Sequence, residues 1–314
     1  MTRKRLFNML KIAVSLGLIA FILTRVDLVK TWNALREAHW GIMAVAVTLF
    51  VLTLPLRAFR WQALLDGLGV HSPIPRLTML YFVGMFFNIF LPTGVGGDVV
   101  RAVEFTQDSR HGAEAIGTVF VDRLTGLLVL FVIALAALPF SFRLVEPEVT
   151  IAIVIIALAG LAGGWLILQG DLLGRIGRRL PFLPAQDKLE DLYRAVGGCG
   201  RRALTRALTI SVLFNLANIL VNYLIALALD VRLSLWYFFA FVPLISFSLT
   251  LPVSLGGLGV REGTYVLLFG QAGVAPEKAL ALSLAYYAIT VITGLAGGLM
   301  YAIEGARGLK QTPD

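Results

Sequence analysis

The sequence carries the same helix-breaking stretch twice, and each copy follows an apolar run. The copies read Leu91-Pro-Thr-Gly-Val-Gly-Gly-Asp-Val-Val-Arg101 and Leu251-Pro-Val-Ser-Leu-Gly-Gly-Leu-Gly-Val-Arg261. Proline removes a backbone donor and glycine relaxes the backbone, so both residues interrupt helices. Inside a membrane, an interruption is tolerated only where protein or a watery cavity satisfies the freed backbone groups. The pair therefore predicts two broken helices in corresponding halves of the chain, the pattern that points to a transporter-type site.

The composition indicates a polytopic membrane protein. Hydrophobic residues make up 58% of the chain and charged residues 15%, with a mean hydropathy of +0.84. Soluble domains have about 25% charged residues, and the continuous apolar runs differ from the alternating strands of a membrane barrel. One cysteine and three widely spaced histidines predict no disulfide, no metal site and no cofactor. The net charge of +8 is interpreted as loop charge that sets membrane orientation, not as a nucleic-acid surface.

The fold class predicted from these runs is all-α, a polytopic membrane helix bundle with six full spans. The predicted spans are residues 12–24, 41–56, 113–140, 149–169, 207–229 and 279–303. Residues 27–40 are predicted to form an interfacial helix. Arg57, Arg60 and Trp61 are expected to close the second span as a basic and aromatic membrane edge.

The two broken units, residues 77–107 and 235–270, are predicted to be re-entrant hairpins. This choice places both termini and the basic segment 171–206 on the cytoplasmic side, as the positive-inside rule requires. Three full spans then separate the units, so they enter from opposite faces as an inverted repeat. The prediction is one transmembrane domain, 1–314, whose halves are 1–145 and 146–314, in the inner (cytoplasmic) membrane.

The candidate substrate-binding residues cluster at the two breaks. Arg101 and Arg261 are expected within the first turn after each break, where a guanidinium group and a helix N-terminus would both attract an anion. The other candidates are the glycines of the breaks, Gly96, Gly97, Gly256 and Gly257, together with Asn88 before the first break and Asn218 within a predicted span. A plainer alternative is two ordinary Pro/Gly kinks whose arginines extend to the membrane surface.

Five further charged residues are candidates for charge coupling: Asp98, Glu104, Asp122, Arg123 and Glu262. Asp98 is expected to cap its half-helix, Glu104 to pair with Arg101, and Glu262 to meet a charge on another helix. Asp122 and Arg123 lie within a predicted span, where buried ions are costly, and their adjacent positions predict different partners. The alternative is that these charges only neutralise one another.

Asn215, Asn218 and Asn222 fall on one face of a predicted span. They would line a polar cavity or hydrogen-bond to neighbouring helices, and the sequence leaves both possibilities open. Tyr286, Tyr287, Thr290 and Thr293 are similarly candidates for the cavity wall or for the membrane interface.

Several segments together resemble the lysylphosphatidylglycerol synthase transmembrane-region family. They are Arg57-Ala-Phe-Arg60-Trp61, residues 92–101, Asp122-Arg123-Leu124 and residues 252–262, and the similarity covers most of the chain. The resemblance implies a lipid-handling bacterial membrane protein, because the family includes flippase parts of bifunctional lysyl-lipid synthases and stand-alone proteins. It does not imply lipid aminoacylation, since the large soluble transferase domain of those synthases is missing from a chain that ends at Asp314.

The leading hypothesis is a lipid translocase whose paired arginines hold an anionic headgroup, with membrane lipid as its partner and no enzymatic activity. A second hypothesis is an accessory subunit that presents lipid to a separate synthase. A third is a membrane-embedded transferase using Asp122 and Glu262, although no recognisable catalytic motif supports it.

Overall fold

The computed structural model describes residues 3–91, 96–108, 112–141, 144–168, 186–251, 253–254 and 256–309. Within those ranges the chain forms eleven α-helices and no strand. The helices are α1 (Arg3–Arg25), α2 (Leu28–Arg36), α3 (Trp40–Gly67), α4 (Ile74–Phe90), α5 (Gly96–Asp108), α6 (Gly112–Ser141), α7 (Pro147–Leu168), α8 (Gln186–Ala228), α9 (Leu235–Thr250), α10 (Val260–Gln271) and α11 (Pro276–Leu309). The predicted all-helical class is confirmed.

Five of the helices in the described part of the chain are long and apolar enough to cross a membrane: parts of α3, α6, α7, α8 and α11. The sixth predicted span, residues 12–24, lies on α1, whose described apolar part, Val14–Arg25, is shorter than a full span. Six spans and an inverted relation of the two halves therefore stay predictions.

Both broken units fold as pairs of packed helices. In the first hairpin, α4 lies against α5, with Gly84 facing Gly97. In the second, α9 lies against α10, and Thr264 Oγ1 is 3.4 Å from Ser248 Oγ. Residues 92–95, 252 and 255, including both motif prolines, lie outside the described residues.

The long helices hold these hairpins in one bundle. α3 packs along α8 and against α4, and α11 packs against α4 and α10. α6 lies against α5, α8 and α9, so it touches both hairpins. α8 is interrupted at Gly200, whose φ of 72° and ψ of 159° are not helical.

The helix that carries the second predicted span, residues 41–56, continues past Arg57, Arg60 and Trp61. α3 continues as a helix to Gly67, and its 28 residues extend about 42 Å at 1.5 Å per residue. Trp61 is fully buried and Arg60 is 3% exposed, so neither forms a membrane edge. Arg60 and Trp61 pack against α6. Trp61 Nε1 donates to Thr118 Oγ1 at 3.0 Å, and Arg60 pairs with Asp122.

Candidate functional site

A cavity of about 420 Å³ lies where the ends of the two hairpins meet α3, α8 and α11. Its apolar wall includes Phe50, Met85, Ile89, Phe90, Phe214 and Leu249. Its polar wall consists of Thr53, Arg57, Asn88, Asn218, Arg261, Tyr286, Tyr287 and Thr290. A cavity with these two kinds of wall fits a molecule that has one polar and one apolar end.

Asn88 and Asn218, the two amides predicted as substrate-binding residues, are both found in this cavity wall. Asn88 Oδ1 accepts a hydrogen bond from the N–H of Gly97 at 2.7 Å, which closes the first hairpin. Asn218 Oδ1 accepts from the hydroxyl of Tyr286 at 2.8 Å, which joins α8 to α11. The cavity wall is thus held in place by hydrogen bonds between helices.

The other two asparagines of α8 serve helix packing. Asn215 donates to the carbonyl oxygen of Gly126 at 3.1 Å, and Asn222 Oδ1 accepts from the Tyr265 hydroxyl at 2.5 Å. The two interpretations of the asparagine face therefore both apply, because Asn218 lines the cavity and all three side chains bond to other helices or their side chains.

Arg261 projects into the cavity wall from the second residue of α10. Its Nη2 is 2.6 Å from Glu262 Oε1, and its guanidinium carbon lies 3.9 Å from the ring centre of Tyr287. The expectation that Glu262 would meet a charge on another helix is wrong. Glu262 also accepts the Gly259 N–H at 2.7 Å, so the carboxylate stays beside the helix start and the long arginine side chain reaches back to it.

The backbone of the second break explains this position of Arg261. Gly257 and Gly259 have φ angles of 82° and 80°, a left-handed conformation that side chains with a Cβ adopt only at a cost. Gly256 lines the cavity next to them. α10 therefore begins only at Val260, immediately before the arginine.

The first break differs, and this separates the two motif arginines. α5 already begins at Gly96, so Arg101 is in the second helical turn and not in the first as expected. Arg101 is 1% exposed and is not part of the cavity wall. Gly97, equivalent to Gly257 in the motif, is helical and packs on Gly84 without space for a side chain.

Arg101 instead joins an ion-pair cluster centred on Asp122 of α6. Asp122 Oδ1 is 2.6 Å from Arg60 Nε, and Oδ2 accepts from Arg101 Nη2 at 2.8 Å and from the Tyr81 hydroxyl at 2.6 Å. Arg60 also donates to Ser211 Oγ at 3.2 Å. The cluster connects α3, α4, α5, α6 and α8 around one buried carboxylate.

Asp98 extends this cluster and does not act as a helix cap. It is the third residue of α5, and its carboxylate pairs with Arg101 at 3.2 Å and with Arg123. Asp122 and Arg123 thus have different partners, as their adjacent helix positions predict.

The predicted pairing of Glu104 with Arg101 is wrong. Glu104 Oε1 accepts a hydrogen bond from the Tyr301 hydroxyl on α11 at 3.0 Å. Arg101 turns the other way because two buried carboxylates, Asp98 and Asp122, already surround it.

Sequence reasoning missed Arg57, the second arginine of the cavity wall. Its guanidinium carbon lies 4.5 Å from the ring centre of Tyr81 and 5.5 Å from that of Phe214. The helical spacing of Arg57, Arg60 and Trp61 is the signal that would have placed all three on one buried face.

No three His, Cys, Asp or Glu side chains come together as a possible metal site among the searched residues. The polar chemistry of the cavity is therefore that of arginine, amide and hydroxyl groups, which are donors suited to phosphate oxygens.

Comparison with known proteins shows which group of membrane proteins shares this sequence. The model of the lysylphosphatidylglycerol synthase TM region matches residues 8–298. A UPF0104 membrane protein of Pyrococcus horikoshii is 22% identical over 307 residues, covering 87% of this chain and 89% of its own. Two UPF0104 membrane proteins of Methanothermobacter thermautotrophicus are 25% and 23% identical, covering 79% and 95% of this chain and 81% and 93% of their own.

Proposed function

This chain belongs to the lysylphosphatidylglycerol synthase transmembrane-region family of multi-pass membrane proteins, and we propose that it is a lipid translocase. It would move an anionic phospholipid or a related lipid across the inner (cytoplasmic) membrane. The observation that carries the proposal is the amphipathic cavity between the two hairpin ends, with Arg261 in its wall.

The polar wall supports headgroup binding. The guanidinium group of Arg261 is a planar donor that matches phosphate oxygens, and the amides of Asn88 and Asn218 lie in the same wall. The N-terminus of α10 adds the partial positive charge of a helix start.

The apolar wall supports an exit for acyl chains. Phe90 and Leu258 line the cavity, and they are 64% and 38% exposed at the ends of the two hairpins. A lipid whose headgroup is bound beside Arg261 would extend its chains past these side chains into the bilayer. This separation of polar and apolar parts is what translocation of an amphiphile requires.

Within the proposal, Arg101 has a positioning role. Its ion pair with Asp122 holds the first hairpin against α6, so that Asn88 is presented to the cavity. Asp98, Glu104, Asp122, Arg123 and Glu262 balance buried charge and maintain this geometry.

The test is transbilayer movement of fluorescent phosphatidylglycerol in proteoliposomes. We expect movement with the wild-type protein and with Arg232→Ala, whose side chain is 86% exposed, and loss of movement with Arg261→Ala. Equal movement with Arg261→Ala and wild type would contradict the proposed headgroup site. Lipid binding without any movement by the wild type would instead favour an accessory subunit that presents lipid to a separate synthase.

A further inference from the structure

Arg57 is half-buried and differs from the buried Arg60, Arg101 and Arg261 because no described carboxylate accepts a hydrogen bond from it. Its Nε atom is buried and has no hydrogen-bond partner in the described part of the chain. Its described contacts are with the rings of Tyr81 and Phe214. A ring face attracts a cation but does not supply the counter-charge that a carboxylate would.

The nearest acidic centre is already occupied. Both oxygens of Asp122 are engaged, Oδ1 by Arg60 and Oδ2 by Arg101 and Tyr81. Tyr81 lies between Arg57 and Arg101. The centre of its ring is 4.5 Å from the guanidinium carbon of Arg57 and 4.1 Å from that of Arg101, and its hydroxyl donates to Asp122. Arg57 and Arg261 both line the cavity, and of these two only Arg57 lacks a described carboxylate partner.

The charge of the cavity wall follows from these pairs. Arg261 is balanced by Glu262 at 2.6 Å, and Arg57 has no such partner. The described wall contains no Asp or Glu side chain. The wall with its adjoining carboxylate therefore carries one uncompensated positive charge. Leaving a guanidinium group partly buried without a counter-ion is unfavourable, so a bound anion would restore the balance.

We infer that Arg57 is the specificity-determining residue of this cavity and selects an amphiphile with one net negative charge, a phosphodiester lipid. The inference rests on the proposed function, because it assigns the substrate class of the same site. A zwitterionic headgroup would bring a second cation close to Arg57, and a headgroup with two negative charges would leave one of them unmatched.

The amphiphilic part of the inference comes from the apolar wall. A free anion such as phosphate would fill only the region between Arg57 and Arg261. It would leave Phe50, Met85 and Leu249 without a partner on the cavity side. Acyl chains supply that partner, and thus the lipid and not the free ion is the expected ligand.

The experiment measures binding to the purified full-length chain in detergent by isothermal titration calorimetry. The probes are dioctanoyl phosphatidylglycerol, dioctanoyl phosphatidylcholine and inorganic phosphate. The variants are Arg57→Gln, which removes the charge but keeps donors, Arg57→Lys, which keeps the charge, and Arg232→Gln as an exposed control.

The wild type should bind phosphatidylglycerol at least about tenfold more tightly than phosphatidylcholine, the scale of one charge-assisted hydrogen bond. Arg57→Gln should bind both lipids with similar affinity, whereas Arg57→Lys and Arg232→Gln should keep the preference. Inorganic phosphate should bind far more weakly than phosphatidylglycerol.

Three results would overturn the inference. They are an unchanged preference in Arg57→Gln, equal binding of the two lipids by the wild type, and phosphate binding as tight as phosphatidylglycerol binding. The last two use only wild-type protein, so they decide the matter even if Arg57→Gln does not fold. Selective binding of phosphatidylglycerol without transbilayer movement would reject the translocase and leave the inference about Arg57 standing. Transbilayer movement without selective binding would support the translocase and reject the inference about Arg57.

Discussion

Arg101 and Asp122 form a buried ion pair, with 2.8 Å between Arg101 Nη2 and Asp122 Oδ2, and both side chains are 1% exposed. Arg101 belongs to the first hairpin and Asp122 to the long helix α6. The pair therefore fixes the hairpin to a membrane-length helix. Arg60 of α3 shares the same carboxylate at 2.6 Å, so the loss of Asp122 would affect three helices at once.

We expect Asp122→Asn to lower the free energy of unfolding by about 3–5 kcal/mol, because removing one partner of a buried pair leaves an uncompensated charge. Thermal unfolding of the purified protein in detergent measures the change as a lower Tm. Asp230→Asn is the control. Asp230 is 58% exposed in its pair with Arg232, and such pairs contribute about 0–1 kcal/mol. A Tm for Asp122→Asn as high as that of Asp230→Asn would contradict the structural role of the cluster.

Gly97→Ala should destabilise the first hairpin. A methyl group there would overlap the backbone carbonyl oxygen of Gly84. Because the obstacle is backbone and not a flexible side chain, it cannot rotate out of the way. Overpacking of this kind costs about 1–3 kcal/mol, again measured as a lower Tm. Gly163→Ala on α7, where a methyl group would meet nothing within 4 Å, should not destabilise and is the matched control. Equal stability of the two variants would show that α4 and α5 are less closely packed than described.

Tyr265→Phe should lower the free energy of unfolding by about 0.6 kcal/mol, the average for interhelical hydrogen bonds in a membrane protein, and by no more than the maximum of about 1.7 kcal/mol. The variant removes the hydroxyl that donates to Asn222 Oδ1 at 2.5 Å and leaves a buried amide oxygen without that donor. Tyr223→Phe is the control, since its hydroxyl has no described hydrogen bond. Chemical denaturation in mixed micelles measures the free energy of unfolding of both variants. A loss of stability in Tyr265→Phe no larger than that in Tyr223→Phe would refute the assigned hydrogen bond.

The predicted topology places Arg202 on the cytoplasmic side and Arg232, across the membrane-length part of α8, on the opposite side. Cys199 is 2% exposed and is unsuited as a reporter. In a Cys199→Ala background, Arg232→Cys should react with a membrane-impermeant maleimide in intact cells. Arg202→Cys should react only after the cytoplasmic face is opened. The reverse pattern would show that the first hairpin crosses the membrane completely.

Helix positions were largely predictable from the sequence, because the signals that set them act locally. The predicted broken units 77–107 and 235–270 correspond to the helix pairs Ile74–Phe90 with Gly96–Asp108 and Leu235–Thr250 with Val260–Gln271. Apolar runs, prolines and glycines act on the backbone within a few residues of themselves. Because the breaks are set by these local residues, the sequence alone located both of them.

The partners of the charged residues depended on tertiary structure. Arg60 and Asp122 are 62 residues apart in sequence, and no local pattern predicts that they meet at 2.6 Å. Arg101 and Arg261 occupy the same position in a repeated motif. Their surroundings differ, since α5 begins five residues before Arg101 and α10 only one residue before Arg261.

The sequence by itself thus determined which segments are helical, where they break and which arginines lie beside the breaks. Only the tertiary structure decided that Arg101 is enclosed by Asp98 and Asp122, whereas Arg261 pairs with Glu262 at the cavity wall. The physical reason is that the charge state of a buried site depends on every carboxylate within a few ångströms, and these come from helices distant in sequence. Arg57, expected at a membrane edge, lines the cavity wall, and its Nε has no described hydrogen-bond partner.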